Sequence, residues 1–215
     1  MRLNSDLYAF PWRAMTENNC NSYLIDSDFK ILIDPGHQHL FAELVSSLRS
    51  MDIQLEDIDL VVGSHAHPDH IEAFQSFSTL SAMITMGELE FQNVQERATH
   101  FLGFDLQPQF LLREGKLRAG TTELEVISTP GHSPGSICLY WLQHKALFAG
   151  DVIFEQGVGR TDLPGGSGEL LKESIRRLST LDIELLLPGH GNIIQGREEI
   201  ARNFSLVEDI YFGLF

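Results

Sequence analysis

Short apolar runs bounded by charge, Gly or Pro alternate along this chain with stretches whose apolar residues recur at helical spacing. The runs predict strands and the stretches predict helices. Tyr23–Ile25 and Phe29–Ile33 flank Ser27-Asp28 and predict a hairpin, with Asn18-Asn19 as a turn before it. Asp34-Pro35-Gly36 ends the second strand, and Leu40, Phe41, Leu44, Val45 and Leu48 then form a helical stripe. The run Ile58–Val62 predicts a buried strand, and Ile71, Phe74 and Phe77 predict a helix from about residue 70. Ala82–Thr85 predicts another short strand and Gly87–Arg97 a helix. Residues 98–109 carry Gly103 and Pro108 without a clear period, which predicts a loop or lid.

The second half restarts with strands at Gln109–Leu112, Gly115–Leu117, Glu123–Ser128, Ser136–Trp141 and Ala146–Ala149. Gly168–Leu178 predicts a helix with Leu170, Leu171, Ser174, Ile175 and Leu178 on one stripe. A strand at Ile183–Leu187 and a final helix at Arg197–Ile210 follow. Both halves thus run strands, helix, strand, helix. That order predicts an α/β protein with a duplicated unit, its two sheets packed face to face and its helices outside.

Composition narrows the class. A chain of 215 residues with 43% hydrophobic content predicts one globular domain spanning 1–215. No apolar run approaches the roughly 18 residues of a spanning helix. The N-terminus lacks the basic-then-apolar layout of a signal peptide, so a cytoplasmic protein is expected. Cys20 and Cys138 lie far apart in apolar surroundings, which predicts buried free thiols. The net charge of −15 argues against a nucleic-acid or anionic-membrane partner and leaves a small-molecule substrate. The apolar tail Ile210–Phe215 offers a homo-oligomer contact or docks on its own domain.

The candidate chemistry concentrates at His65-Ala66-His67-Pro68-Asp69-His70, where three of the nine histidines fall within six residues. An extended backbone would point His65 and His67 to one side. Asp69 and His70 follow a Pro and can face a second point nearby. An imidazole pair beside a carboxylate–imidazole pair suits two adjacent zinc-type ions. Asp69 with Glu72 three residues later also reads as a helix N-cap. Three further potential ligands each follow a strand in a Gly-containing turn: His132 in Thr129–Gly135, Asp151 in Ala149-Gly150-Asp151, and His190 in Leu187–Gly191.

HAHPDH, TPGHSPGS, FAGD and LLPGHG in this order resemble the metallo-β-lactamase-fold superfamily from Tyr23 to about residue 203. The resemblance implies a four-layer αβ/βα sandwich. It also implies a first metal on His65, His67 and His132, a second on Asp69, His70 and His190, and Asp151 bridging the two. The ions implied are two divalent metals, zinc first, with iron or manganese accepted by the same donors. Gly159-Arg160-Thr161-Asp162 resembles the glyoxalase II and persulfide dioxygenase branch. Arg160 there would grip a substrate carboxylate as a planar fork or else close on Asp162.

The activity implied is hydrolysis of a thioester by a metal-bridging hydroxide, with Asp69 orienting it and Asp151 spacing the metals. The alternative is a mononuclear iron persulfide dioxygenase, and a metallo-nuclease is a third reading. The chain leaves no room for the C-terminal helical domain typical of glyoxalase II, and Val158 stands where persulfide dioxygenases often carry Cys. Asp34, Ser64 and Thr129 are placed to orient ligand histidines or to serve as turn residues. His37 and His39 read as surface residues before a helix and carry no assignment.

Overall fold

The computed structural model describes residues 1–14, 16–95 and 102–214. A first sheet runs β1 (Leu7–Phe10), β2 (Ser22–Ile25), β3 (Ile31–Ile33), β4 (Leu60–Gly63), β5 (Met83–Gly87) and β6 (Phe110–Leu112) in spatial order. Pairing is antiparallel from β1 to β3 and parallel from β3 to β6. The second sheet contains β7 (Gly115–Ala119), β8 (Thr122–Ser128), β9 (Ile137–Trp141), β10 (Ala146–Gly150), β13 (Leu185–Pro188) and β14 (Ile194–Gln195). Its one parallel pair is β10 with β13. A two-stranded ribbon, β11 (Ile153–Phe154) with β12 (Gly157–Val158), sits beside it.

The sheets face each other across a core of Leu7, Ile25, Ile31, Ile33, Leu60 and Val62 on one side and Leu124, Val126, Leu139, Trp141 and Phe148 on the other. Strand alternation decides which residues reach it: Leu124 and Val126 point in, while Glu123 and Glu125 lie outside the core. The opposite strand faces carry helices. α1 (Phe41–Arg49) packs Phe41, Leu44 and Leu48 over Leu24, Leu32 and Val61. α4 (Gly168–Leu178) packs Leu171, Ile175 and Leu178 over Cys138, Tyr140 and Leu147, beside Ile200, Phe204 and Val207 of α5 (Arg197–Tyr211). Helix, sheet, sheet and helix make the four layers of the expected sandwich.

Several expectations shift. The histidine-bearing segment has its helix earlier than residue 70: α2 (Pro68–Ile71) starts with Pro68 at its first position, His67 is its N-cap, and a 3-10 turn, Glu72–Phe77, follows. Asp69 is therefore a first-turn residue and not a cap, because the pre-set φ of Pro68 opens the helix one residue sooner. Leu170 was expected on the buried stripe of α4 but is 41% exposed. The helix α3 (Glu88–Val94) ends before Arg97, and Arg97 and residues 98–101 lie outside the described residues. Of the expected lid, Leu102 and Leu106 are buried against the first helix layer, so this part is packed down. The halves share layers but not topology: the first sheet is mainly parallel, the second an antiparallel meander with one crossover. Strand β1 was unread in sequence; it pairs with β2 on one side, and residues 1–3 bond to its other side through Leu3 N to Leu7 O at 2.9 Å and Ala9 N to Met1 O at 2.8 Å.

This layering positions the site. The turns after β3, β4, β10 and β13 all open on one edge of the sandwich. Cross-sheet bonds hold that edge: Ile137 N donates to Ser64 O at 2.9 Å, Asn21 N to Gly189 O at 2.6 Å, and Tyr23 Oη to Pro188 O at 2.7 Å. No helix among the described residues is long and apolar enough to cross a membrane.

Candidate metal centre

The strand ends bring all seven potential ligands together. His65, His67 and His132 form one convergent set, Asp69, His70 and His190 another, and His65, His70 and Asp151 a third that joins them. His67 Nδ1 lies 3.0 Å from His65 Nε2 and 2.8 Å from His132 Nε2. His190 Nε2 stands 3.3 Å from both Asp69 Oδ2 and Asp151 Oδ2. Asp151 Oδ2 is also 3.4 Å from His132 Nε2, while its Oδ1 is 3.3 Å from His70 Nε2. Asp151 thus stands between the two sets, with one oxygen towards His132 and His190 and the other towards His70.

The partners behind the rings decide which nitrogens face the centre. Asp34 is held at φ +52° by its place in the turn after β3. Its Oδ1 accepts from Ser64 N and its Oδ2 from Ser64 Oγ, both at 2.7 Å, and Oδ2 also meets His70 Nδ1 at 2.9 Å. Since the Ser64 proton goes to Asp34, Ser64 Oγ accepts from His65 Nδ1 at 3.0 Å. His132 Nδ1 donates to the Arg160 carbonyl at 2.7 Å. These assignments leave Nε2 of His65, His70 and His132 facing inwards, the pattern of metal-binding imidazoles. Asn18 Nδ2 donates to Asp69 Oδ2 at 2.7 Å.

The electrostatics divide the site in two. Burial, with the neighbouring imidazole charges, pushes His65 well below the usual histidine range and His67 down to about 4, so both are neutral donors near pH 7. Burial opposes charge on His70 as well, but Asp151 and Asp34 outweigh it and hold the ring well above the usual range. For His190 burial is likewise outweighed, by Asp151 and Asp69, which raise it to about 9. Burial would raise the Asp151 and Asp69 carboxyls; the His70 charge and the His190 bond pull both below the usual carboxylate range.

The residues present fit divalent metal. His70 Nε2 and Asp151 Oδ1 are fully buried side-chain atoms with no hydrogen-bond partner, although they face each other. An unpaired buried polar atom is costly, and here two meet in a pocket of imidazoles and carboxylates. A cation between the sets would satisfy both. Glycine makes the close approach possible: a Cβ on Gly189 would fall 2.3 Å from Asp151 Oδ1 and 2.8 Å from His70 Cε1.

Thr129 and Arg160 each take the local one of the two roles read for them in the sequence. Thr129 donates to the Ser136 carbonyl at 3.3 Å and orients no histidine of the centre. The Arg160 guanidinium closes on Asp162 through two 2.7 Å bonds, and both side chains are exposed. It is the Arg160 carbonyl that reaches the centre. Glu90 went unread in the sequence. It is 2% exposed, and its carboxyl group accepts from Ala66 N at 2.9 Å and from Ser133 Oγ and Gly135 N at 2.8 Å. It thereby ties the loop of His65 and His67 to the loop of His132. Its only sequence signal was a Glu on a short helix, which is usually solvated. Cys20 and Cys138 are buried and free, as expected.

A cavity of about 800 Å³ opens over the centre. Its floor is His67, Asp69, His132, Asp151 and His190, and its walls include Val94, Pro134, Phe154, Val158, Leu163 and Pro164.

The chain belongs to the metallo-beta-lactamase superfamily, whose family model it matches over residues 15–190. It is a metal-dependent hydrolase of that superfamily. It is 36% identical over 185 residues to a probable metallo-hydrolase of Methanocaldococcus jannaschii, covering 80% of this chain and 88% of that protein. It is 30% identical over 201 residues to a hydroxyacylglutathione hydrolase of Haemophilus influenzae, covering 87% and 92%. A crystal structure of a protein in a di-iron-bound form superposes with a TM-score of 0.73 at 27% identity, covering 94% of this chain and 98% of that one.

Proposed function

We propose that this chain hydrolyses thioesters in the manner of glyoxalase II. In this reading His65, His67 and His132 hold one divalent ion, Asp69, His70 and His190 hold a second, and Asp151 bridges them. Zinc is the proposed metal, and the di-iron neighbour makes iron the first alternative. When bound, the ions polarise an acyl oxygen and bring the pKa of bound water towards about 7.

The observation that carries the thioester is the chemistry of the cavity. Among the described lining residues, outside the ligand set, no side chain is placed to protonate a leaving group. Glu90 is spent on Ala66, Ser133 and Gly135, and the Ser133 hydroxyl is spent on Glu90. A thiolate leaves without a proton, because a thiol has a pKa of about 8.5, far below that of an alcohol or amide nitrogen. The 30% identity to a hydroxyacylglutathione hydrolase supports the same substrate class.

The protein's own groups divide the work. Asp69, whose Oδ2 already meets Asn18 and His190, is proposed to use its other oxygen to accept from the attacking water and orient it. Asp151 holds His70, His132 and His190 at one spacing. The apolar walls seat the acyl group and exclude bulk water. Arg160 at the rim is proposed to exchange Asp162 for a substrate carboxylate.

Metal content of protein purified without added metal, with S-lactoylglutathione turnover on the same sample, tests the reading. About two metals per chain with thioester cleavage is the expected result. One iron per chain, no cleavage, and oxygen uptake with glutathione persulfide would replace it with the dioxygenase. Two metals and neither activity would leave the centre standing and remove the thioester.

A further inference from the structure

Outside the centre, a second group of metal-capable side chains lies on the surface near α1. His37, His39 and Glu72 each offer a ligand atom within 4.8 Å of the other two. His37 Nδ1 meets Glu72 Oε2 at 2.7 Å, and His39 Nε2 meets Glu17 Oε1 at hydrogen-bond distance. The two rings stand 5.1 Å apart with a 46° tilt.

We propose that His37, His39 and Glu72, completed by Glu17, bind one further zinc-like divalent ion at this surface. Two imidazoles and two carboxylates form a borderline donor set suited to zinc, nickel or copper and poorly suited to calcium or magnesium. The two carboxylates offset the charge of a dication. Tetrahedral zinc with bonds of ~2.0–2.1 Å sets neighbouring ligand atoms roughly 3.4 Å apart. The two hydrogen-bonded pairs must therefore open and the wider separations, up to 4.8 Å, must close, and the cluster has the freedom to do so. The His39 and Glu17 side chains are 56% and 50% exposed, while His37 and Glu72 are about one-fifth exposed and already in contact. The fixed half is anchored further: His37 N donates to Asn19 Oδ1 at 2.9 Å, and Gln38 N to Glu72 Oε2 at 3.4 Å.

The donors come from three separate segments, so a bound ion would cross-link them. Glu17 precedes Asn18, the residue that donates to Asp69. An ion on Glu17 and His39 would clamp the 17–21 segment against the start of α1 and hold Asn18 in place. The site would thus be structural towards the rim of the cavity and separate from the chemistry.

Calorimetric titration of zinc chloride into tag-free protein, compared with H39A and E17Q, tests this. The readout is the difference in zinc equivalents, so it does not depend on how fully the principal centre is loaded. Wild type is expected to take one equivalent more than H39A, and to bind that equivalent about tenfold or more tighter than E17Q does. Amide hydrogen exchange over residues 17–21 is expected to slow with zinc in wild type and stay unchanged in H39A. Equal zinc equivalents in wild type and H39A would overturn the site. Loss of the equivalent with identical exchange in both proteins would overturn the clamp.

Discussion

Asp34 shows how much of the proposed chemistry rests on a residue that touches no substrate. Its left-handed backbone aims one carboxylate at Ser64 N, Ser64 Oγ and His70 Nδ1 together. Asp34→Asn replaces one of the two acceptor oxygens by a donor, so His70 or Ser64 loses its partner. Outer partners of this kind are worth about 10–100-fold in metal affinity, and that drop is expected in a competition titration with a chromophoric chelator. Cys138 illustrates a buried group with no part in the reaction. Burial pushes its thiol up to about 12. Native protein should therefore resist alkylation at pH 8, with modification only on unfolding. The sign for stability follows. An unfolded thiol ionises near pH 8.5, so above that the unfolded chain binds fewer protons than the folded one. Cys138 then contributes a fall in stability as pH rises from about 8.5 towards 12, measurable by denaturant titration.

At the scale of elements, the site is a set of turns after strands, kept in register by contacts that reach from one turn to another. Glu90 on α3 is the clearest case, joining the Ala66 turn to the Ser133–Gly135 turn. Glu90→Gln should keep the Ala66 bond and lose those from Ser133 and Gly135, a cost on the order of 2–3 kcal/mol. The expected outcome is selective: metal on the three-histidine set weakens while that on Asp69, His70 and His190 persists. Spectra of the cobalt-substituted protein resolve the two sets. Gly189→Ala acts from the β13 turn. Its methyl group would occupy the space of Asp151 Oδ1, so the carboxylate must move. Loss of about one metal equivalent with the helix layers intact by circular dichroism is expected. Unchanged metal content in this variant would contradict the proposed bridging role of Asp151.

The whole molecule holds two half-sites of opposite protonation between its two sheets. His65 and His67 are neutral in the metal-free protein, whereas His70 and His190 carry protons, the latter up to about 9. A metal must displace those protons. Zinc affinity should therefore rise with pH as His190 gives up its proton near 9, with a further rise where His70 does the same. Calorimetry in buffers of different ionisation enthalpy should show about two protons released for full loading. Because the proposed ligands come from both sheets, a bound metal would also couple the layers. An ion at 100 times its Kd adds about 2.7 kcal/mol, so chelation should lower Tm by about 5–10 °C per ion in a chain of this size. A chelator that left Tm unchanged would show that the two sheets dock without metal.

Local pattern carried much of this protein. Alternation and helical stripes placed most strands and helices within a few residues, because face burial depends on spacing that the chain itself displays. The motif order carried the ligand candidates, since each must follow a strand in a Gly- or Pro-bearing turn. What sequence could not hold is which of several partners, near or distant in the chain, a polar group takes once the turns are packed. The choice between a fork for substrate and a closed pair with Asp162 was undecidable for Arg160, and its carbonyl on His132 has no side-chain signature at all. Thr129 sits beside His132 in a turn yet bonds to Ser136, since β-ladder geometry and not nearness in sequence aims its hydroxyl. Glu90 reads as a surface residue until tertiary packing closes two turns over it. Burial of a charge is decided by what surrounds it, and only the assembled sandwich supplies that.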